Sequence, residues 1–174
     1  MRIFLVFMSL WLLALPGFSD PLHDAVEEGT VEQVRSLLDG GFDVNALDDD
    51  KETALHEAAE AGRIEMIQLL IDAGAKRGLR DMEGETPLHE AAEDGHLEAV
   101  RYLVLRGAPI DAADNLGRSA LHLAILEKKE PVALYLISAG AGLGYLTADL
   151  STALDMAKAT GQTAVVQALE SRLP

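Results

Sequence analysis

The sequence predicts an all-α solenoid of about five 33-residue helix-turn-helix units with β-turn loops, after an N-terminal signal peptide. Three observations carry that prediction. His23, His56, His89 and His122 fall 33 residues apart, and Asp155 continues the series. Thr53, Thr86, Ser119 and Thr152 stand three residues ahead of those positions, where a hydroxyl suits a helix N-cap. Glycines recur at 29, 62, 95 and 161, and again at 41, 74, 107 and 140, where a helical hairpin has to turn.

The first 19 residues stand apart from the repeat. Met1-Arg2 is followed by an apolar run of 13 residues from Ile3 to Leu15, then by Pro16-Gly17-Phe18-Ser19 with small residues at 17 and 19. A basic start, an apolar centre and a small-x-small exit make a signal peptide over residues 1–19, with cleavage after Ser19. The run falls short of the roughly 20 residues needed to span a bilayer, so no membrane attachment is expected once it is removed. The alternative is retention as an uncleaved anchor. Without cysteine there is no lipoprotein site, and a signal of this bacterial style points to the periplasm.

Residues 20–174 divide into units at 20–52, 53–85, 86–118, 119–151 and 152–174. Each opens with a short helix, announced by its cap and, in the third unit, by Pro87 at the first helical position, where the missing N–H costs nothing. A second helix follows the turn glycine. Its apolar residues recur on one face: Val31, Val34, Leu37 and Leu38; then Ile64, Ile67, Leu70 and Ile71; then Leu97, Val100, Leu103 and Val104. A loop with Gly84 or Gly117 near its tip leads to the next cap and is expected to project as a β-turn. The fourth unit departs from the pattern: Lys128 replaces the turn glycine and Pro131 follows Glu130, which predicts a locally altered turn.

Thr86-Pro87-Leu88-His89-Glu90-Ala91-Ala92, followed by Gly95, Leu103 and Gly107-Ala108, resembles the signature of the ankyrin repeat family. The resemblance extends over the whole chain after Asp20. It implies a gently curved, L-shaped ankyrin-repeat solenoid whose first helices and loop tips form a concave partner-binding face. On that geometry the partner-facing residues include Glu27, Glu28, Asp49, Asp50, Glu52, Glu60, Glu83, Glu85, Glu93 and Asp94, with Leu116, Leu123 and Leu126 farther along. The resemblance also gives the recurring histidines a structural role, bonding locally and tying neighbouring loops.

Composition narrows the function. The 174 residues carry 14 Lys plus Arg against 29 Asp plus Glu, a formal charge of −15, so nucleic acid and anionic membranes are excluded as partners. The lack of cysteine removes thiolate nucleophiles, iron–sulfur clusters and Cys-type zinc sites. His56-Glu57-x-x-Glu60 and His89-Glu90-x-x-Glu93 have Glu where a zinc protease needs a second His, and they belong to the repeat itself. Asp43-x-Asn45-x-x-Asp48-Asp49-Asp50 offers oxygen ligands but lacks the spaced Gly and closing Glu of a calcium loop, leaving a solvated acidic loop as the alternative. No cofactor, metal or catalytic set is therefore expected, and a protein-binding module that is monomeric by itself is left.

The acid stripe calls for a basic protein partner with fast, salt-sensitive association. An inhibitor or immunity protein of a periplasmic cell-wall hydrolase fits that reading; a structural scaffold or stress-related accessory factor for an envelope enzyme is the alternative. Two further questions stay open on the sequence alone. The acids are either a steering surface or a solubility device, and Leu116, Leu123 and Leu126 are either a hot spot or packing under the fourth loop around Tyr145 and Leu146.

Overall fold

The structure is a computed structural model that describes residues 21–172. The signal peptide and its cleavage point lie outside the described residues. Within them, ten helices form five antiparallel hairpins: α1 (Pro21–Glu27) with α2 (Val31–Asp39), α3 (Ala54–Glu60) with α4 (Ile64–Asp72), α5 (Pro87–Glu93) with α6 (Leu97–Leu105), α7 (Ala120–Leu126) with α8 (Glu130–Ala139), and α9 (Ala153–Ala159) with α10 (Thr163–Glu170). No strand occurs among the described residues, and none of these helices is long and apolar enough to cross a membrane. The odd-numbered helices stack on one another in one layer and the even-numbered ones in a second, so the core is a strip between the layers. The all-α solenoid is as the sequence predicts.

Local chemistry explains the starts of α3, α5, α7 and α9. Thr86 opens α5 in an extended conformation, and His89 Nδ1 accepts a hydrogen bond from the Thr86 backbone N–H at 3.1 Å. The same reciprocal box holds α3 through Thr53 and His56, and α7 through Ser119 and His122. In α9 an aspartate takes over: Asp155 Oδ2 accepts from the Thr152 N–H at 3.0 Å. The even-numbered helices contribute Met66, Ile67, Leu70, Val100, Leu103, Leu136 and Leu169 to the core, all buried at helical spacing.

The loops between units are short hairpins that hydrogen-bond tip to tip. Asp81 N–H donates to Glu85 O, while Met82 N–H reaches back to Asp50 O; Asn115 N–H likewise donates to Glu83 O and Ala148 N–H to Leu116 O. Asp48, Asp81 and Asp114 each brace their own loop with Oδ1, which accepts backbone N–H groups two or four residues on. The oxygens of Asp43 and Asn45 are spent in the same way, on the N–H of Asn45 and of Lys76. These acids therefore serve as loop braces.

The fourth unit keeps the common turn. Lys128 adopts the left-handed conformation at φ 57° in place of glycine, and Lys129 N–H still donates to Ala124 O as Arg63 N–H does to Ala58 O. The altered turn expected there does not occur, because the hydrogen bonds of the turn outweigh the modest strain of a side chain in that region. Leu150 occupies the same kind of position at a loop tip, φ 65°, where the second and third such loops carry Gly84 and Gly117. Lys128→Gly and Leu150→Gly are each expected to stabilise the fold by about 0.5–1 kcal/mol, since both side chains are exposed and lose no packing. Urea unfolding midpoints read this directly; an unchanged or lower midpoint for both variants would refute it.

Candidate functional site

Stacking of the odd-numbered helices brings their C-terminal ends, Glu27, Glu60, Glu93 and Leu126, into a row beside the loop tips. Glu27, Glu28, Asp49, Asp50, Glu60, Glu83 and Asp94 are exposed along it, and Glu52 and Glu93 are half-buried. Glu27, Glu52, Glu57, Glu60, Ala61 and Asp94 line an open groove of about 400 Å³. A larger hollow of about 590 Å³ lies at the outer side of the first hairpin, between Pro21 and Leu37, away from the loops.

Two residues assigned to the partner-facing set turn inward. Glu85 is only 6% exposed, and its Oε1 takes a hydrogen bond from Arg118 Nη2 at 2.9 Å, an ion pair that also includes Asp114. Leu123 is 1% exposed. It sits where α3 and α5 carry Glu57 and Glu90, and an apolar side chain in that position sinks between the stacked helices instead of standing at the groove. Leu116 and Leu126 stay out, at 52% and 37% exposed.

Under the groove the carboxylates crowd. Oxygens of Glu52, Asp81 and Glu90 lie within 4.8 Å of one another. Unit charges at that separation repel by about 3 kcal/mol per pair in a half-solvated site, so the three do not all stay ionised. Burial, and then the charges of Glu85, Glu52, Asp81 and Glu60, push the Glu90 carboxyl up to about 9. Burial followed by Asp48, Glu60, Glu57 and Asp81 pushes Glu52 up to about 7. Glu85 also rises to about 7, because burial and Glu93 outweigh Arg118.

Glu57, one unit before Glu90, has a different fate. His23 Nδ1 lies 2.7 Å from Glu57 Oε1. Burial works against a charged ring there, but the Glu57 carboxylate outweighs it and holds the histidine above its ordinary value. His23 thus neutralises Glu57, whereas Glu90 has glutamates and an aspartate for company. His23, Asp48 and Glu57 do bring three ligand atoms within reach of a single ion, but the first and last are bonded to each other and Asp48 Oδ1 holds two backbone N–H groups. His56, His89 and His122 are committed to their capping boxes, and His89 also donates from Nε2 to Arg118 O at 3.1 Å, tying the next loop.

Sequence reasoning passed over Asp81 and read Glu90 only as part of a repeat motif, so it did not anticipate the cluster that the two form with Glu52. The 33-residue register held a signal, since Asp48, Asp81 and Asp114 occupy one position and Glu57 and Glu90 another. What it did not reveal is that side chains from different registers meet. At the far end, Leu116, Leu126, Met156 and Ala148 wall a smaller notch of about 280 Å³, with Arg118, Thr147 and Asp149 at its edge.

Among curated proteins none matches the chain. A family model described as ankyrin repeats, three copies, matches residues 22–114 and 74–147. These matches run through four of the five hairpins and through every Thr/Ser–His box of the solenoid. The chain belongs to the ankyrin repeat family and is a protein–protein interaction module.

Proposed function

We propose that this protein is exported to the periplasm and there binds a basic protein through its acidic concave face, without catalysing a reaction itself. The observation that carries the reading is the crowding of Glu52, Asp81 and Glu90, whose oxygens lie within 4.8 Å of one another beneath a groove rimmed by further acids. Held together by the loops and helices around them, these carboxyl groups cannot all ionise in the free protein without repelling one another. A lysine or arginine from a partner relieves that repulsion, which makes binding salt-sensitive and steers approach. Enzymes that act on the anionic cell wall are suitably basic, and occluding such a hydrolase is the role we assign. The other role, a scaffold that holds an envelope enzyme without blocking it, differs in leaving its activity intact.

Two measurements test this. N-terminal sequencing of the protein from a periplasmic fraction is expected to start at Asp20; a chain starting at Met1 in the cytoplasm would refute export. Capture from an envelope extract by the wild type, compared with Glu60→Lys combined with Glu93→Lys, is expected to retain a basic hydrolase at low salt only, with the double variant weakening capture by about 100-fold. Silencing of the captured enzyme marks an inhibitor and intact activity a scaffold. Capture indifferent to salt and to charge reversal would leave the acids as a solubility device.

A further inference from the structure

We infer that the notch beside the third loop tip takes one large apolar side chain of the partner, presented next to lysine or arginine. This rests on the acidic-face reading and specifies the partner's chemistry. In the register of residues 50, 83, 116 and 149 the third loop tip alone is apolar, and Leu126 ends α7 where α3 and α5 end in Glu60 and Glu93. Leu116 lies at the end of the third unit and Leu126 in the first helix of the fourth, and the two changes meet at the same notch. Packing does not account for them. Leu123, which precedes Leu126 on α7, is buried, whereas Leu116 and Leu126 keep substantial exposure.

The notch is preformed. Leu116 N–H donates to Asp114 Oδ1, Leu116 O accepts from Ala148 N–H, and the Arg118–Asp114 ion pair locks the loop from behind. Preorganisation of this kind spares the ordering cost that a floppy loop pays on binding. At about 280 Å³ the space falls below the usual range for drug-sized ligands, roughly 300–1,000 Å³, and suits a single side chain.

The surrounding charge selects what accompanies that side chain. Asp149 stands at the edge, its carboxyl held below the usual range by the Thr147 hydroxyl and the Ser151 N–H. Glu127 follows Leu126 in the chain and acts on Glu93, the next acid of the stripe. Of the cations nearby, Arg118 is spent on Asp114 and Glu85, and Lys129 lies against Gly95. An apolar anchor entering here thus arrives beside carboxylates, and cations on the partner complement them.

The test uses two fluorescein-labelled peptides, Lys-Lys-Gly-Phe-Gly-Lys-Lys and its Phe→Ala counterpart, titrated by anisotropy at low salt against the purified chain. The Phe peptide is expected to bind about 10-fold more tightly, equivalent to about 1.4 kcal/mol. Leu126→Glu and Leu116→Glu should erase the preference; both install the acid that the same register carries in other units, and a thermal melt verifies folding. Equal binding of the two peptides, weakened by Glu60→Lys with Glu93→Lys, would overturn the notch and keep the acidic face. A Phe preference indifferent to that charge reversal and to salt would overturn the cationic half and the acidic-face reading with it. Binding of neither peptide would overturn both.

Discussion

His89→Ala is expected to destabilise the protein by about 3 kcal/mol, the range for emptying a buried site and orphaning its polar neighbours. The ring is 1% exposed and makes three contacts that alanine cannot. Nδ1 accepts from the Thr86 N–H at 3.1 Å and lies 2.9 Å from Thr86 Oγ1, and Nε2 donates to Arg118 O at 3.1 Å. Its loss leaves a buried N–H and a carbonyl unpaired and cuts α5 from the loop of the next unit. The partners also dictate the neutral tautomer, protonated at Nε2, because a proton on Nδ1 would face the Thr86 N–H. Burial accordingly holds His89 below its ordinary value, as it does His56 and His122. A folded-state pKa lower than the unfolded one means that stability is lost as pH falls below about 6.5. Urea unfolding should show that loss in the wild type and a smaller one in His89→Ala; a variant as stable as the wild type would contradict the tie between units.

Glu90→Gln is expected to act in the opposite sense, stabilising the fold by about 2 kcal/mol at pH 9 and leaving it unchanged at pH 4. The carboxyl titrates up to about 9 in the folded chain, against 4.5 when free. A raised folded-state pKa means that the folded form holds its proton more tightly, so stability present at pH 4 is lost progressively as pH rises from about 4.5 through 9. Each tenfold in proton affinity is about 1.4 kcal/mol, and solvent on the open side of the groove discounts the full sum to the smaller figure given. Glu52 and Glu85, both up to about 7, add to the same decline, as does His23 once its proton leaves Glu57 unpaired. Stability against pH therefore forms a dome, with neutral histidines setting its acid side and crowded glutamates its alkaline side. A wild-type curve that stays level from pH 5 to 9, or a Glu90→Gln curve that falls as steeply as the wild type, would rule this out.

The acid crowding has a functional sense. Residues that weaken a fold when ionised and lie under a groove are candidates for binding, because a partner supplies the countercharge that the free protein lacks. The contrast between Glu57 and Glu90 is instructive. Both follow a repeat histidine, yet the first is paired with His23 of the neighbouring helix and the second meets only acids.

The period, the helices, their hydroxyl caps and their turns were legible in the residues alone, because all of these rest on contacts within a few positions. A threonine three positions before a histidine makes a capping box in one unit after another, and Asp155 performs the same office at the start of α9. Even Lys128 kept the glycine turn, since backbone hydrogen bonds decided it locally. The tertiary structure alone decided which charges compensate. His23 meets Glu57 across 34 residues and Arg118 meets Glu85 across 33, while Glu52, Asp81 and Glu90 converge from a loop, the next loop and a helix. It also separated Leu123 from Leu126, one buried and one exposed on the same helix. The reason is that each unit's sequence specifies its own hairpin, but the side chains of the groove meet those of neighbouring units, and that encounter is set by the stacking of one hairpin on the next.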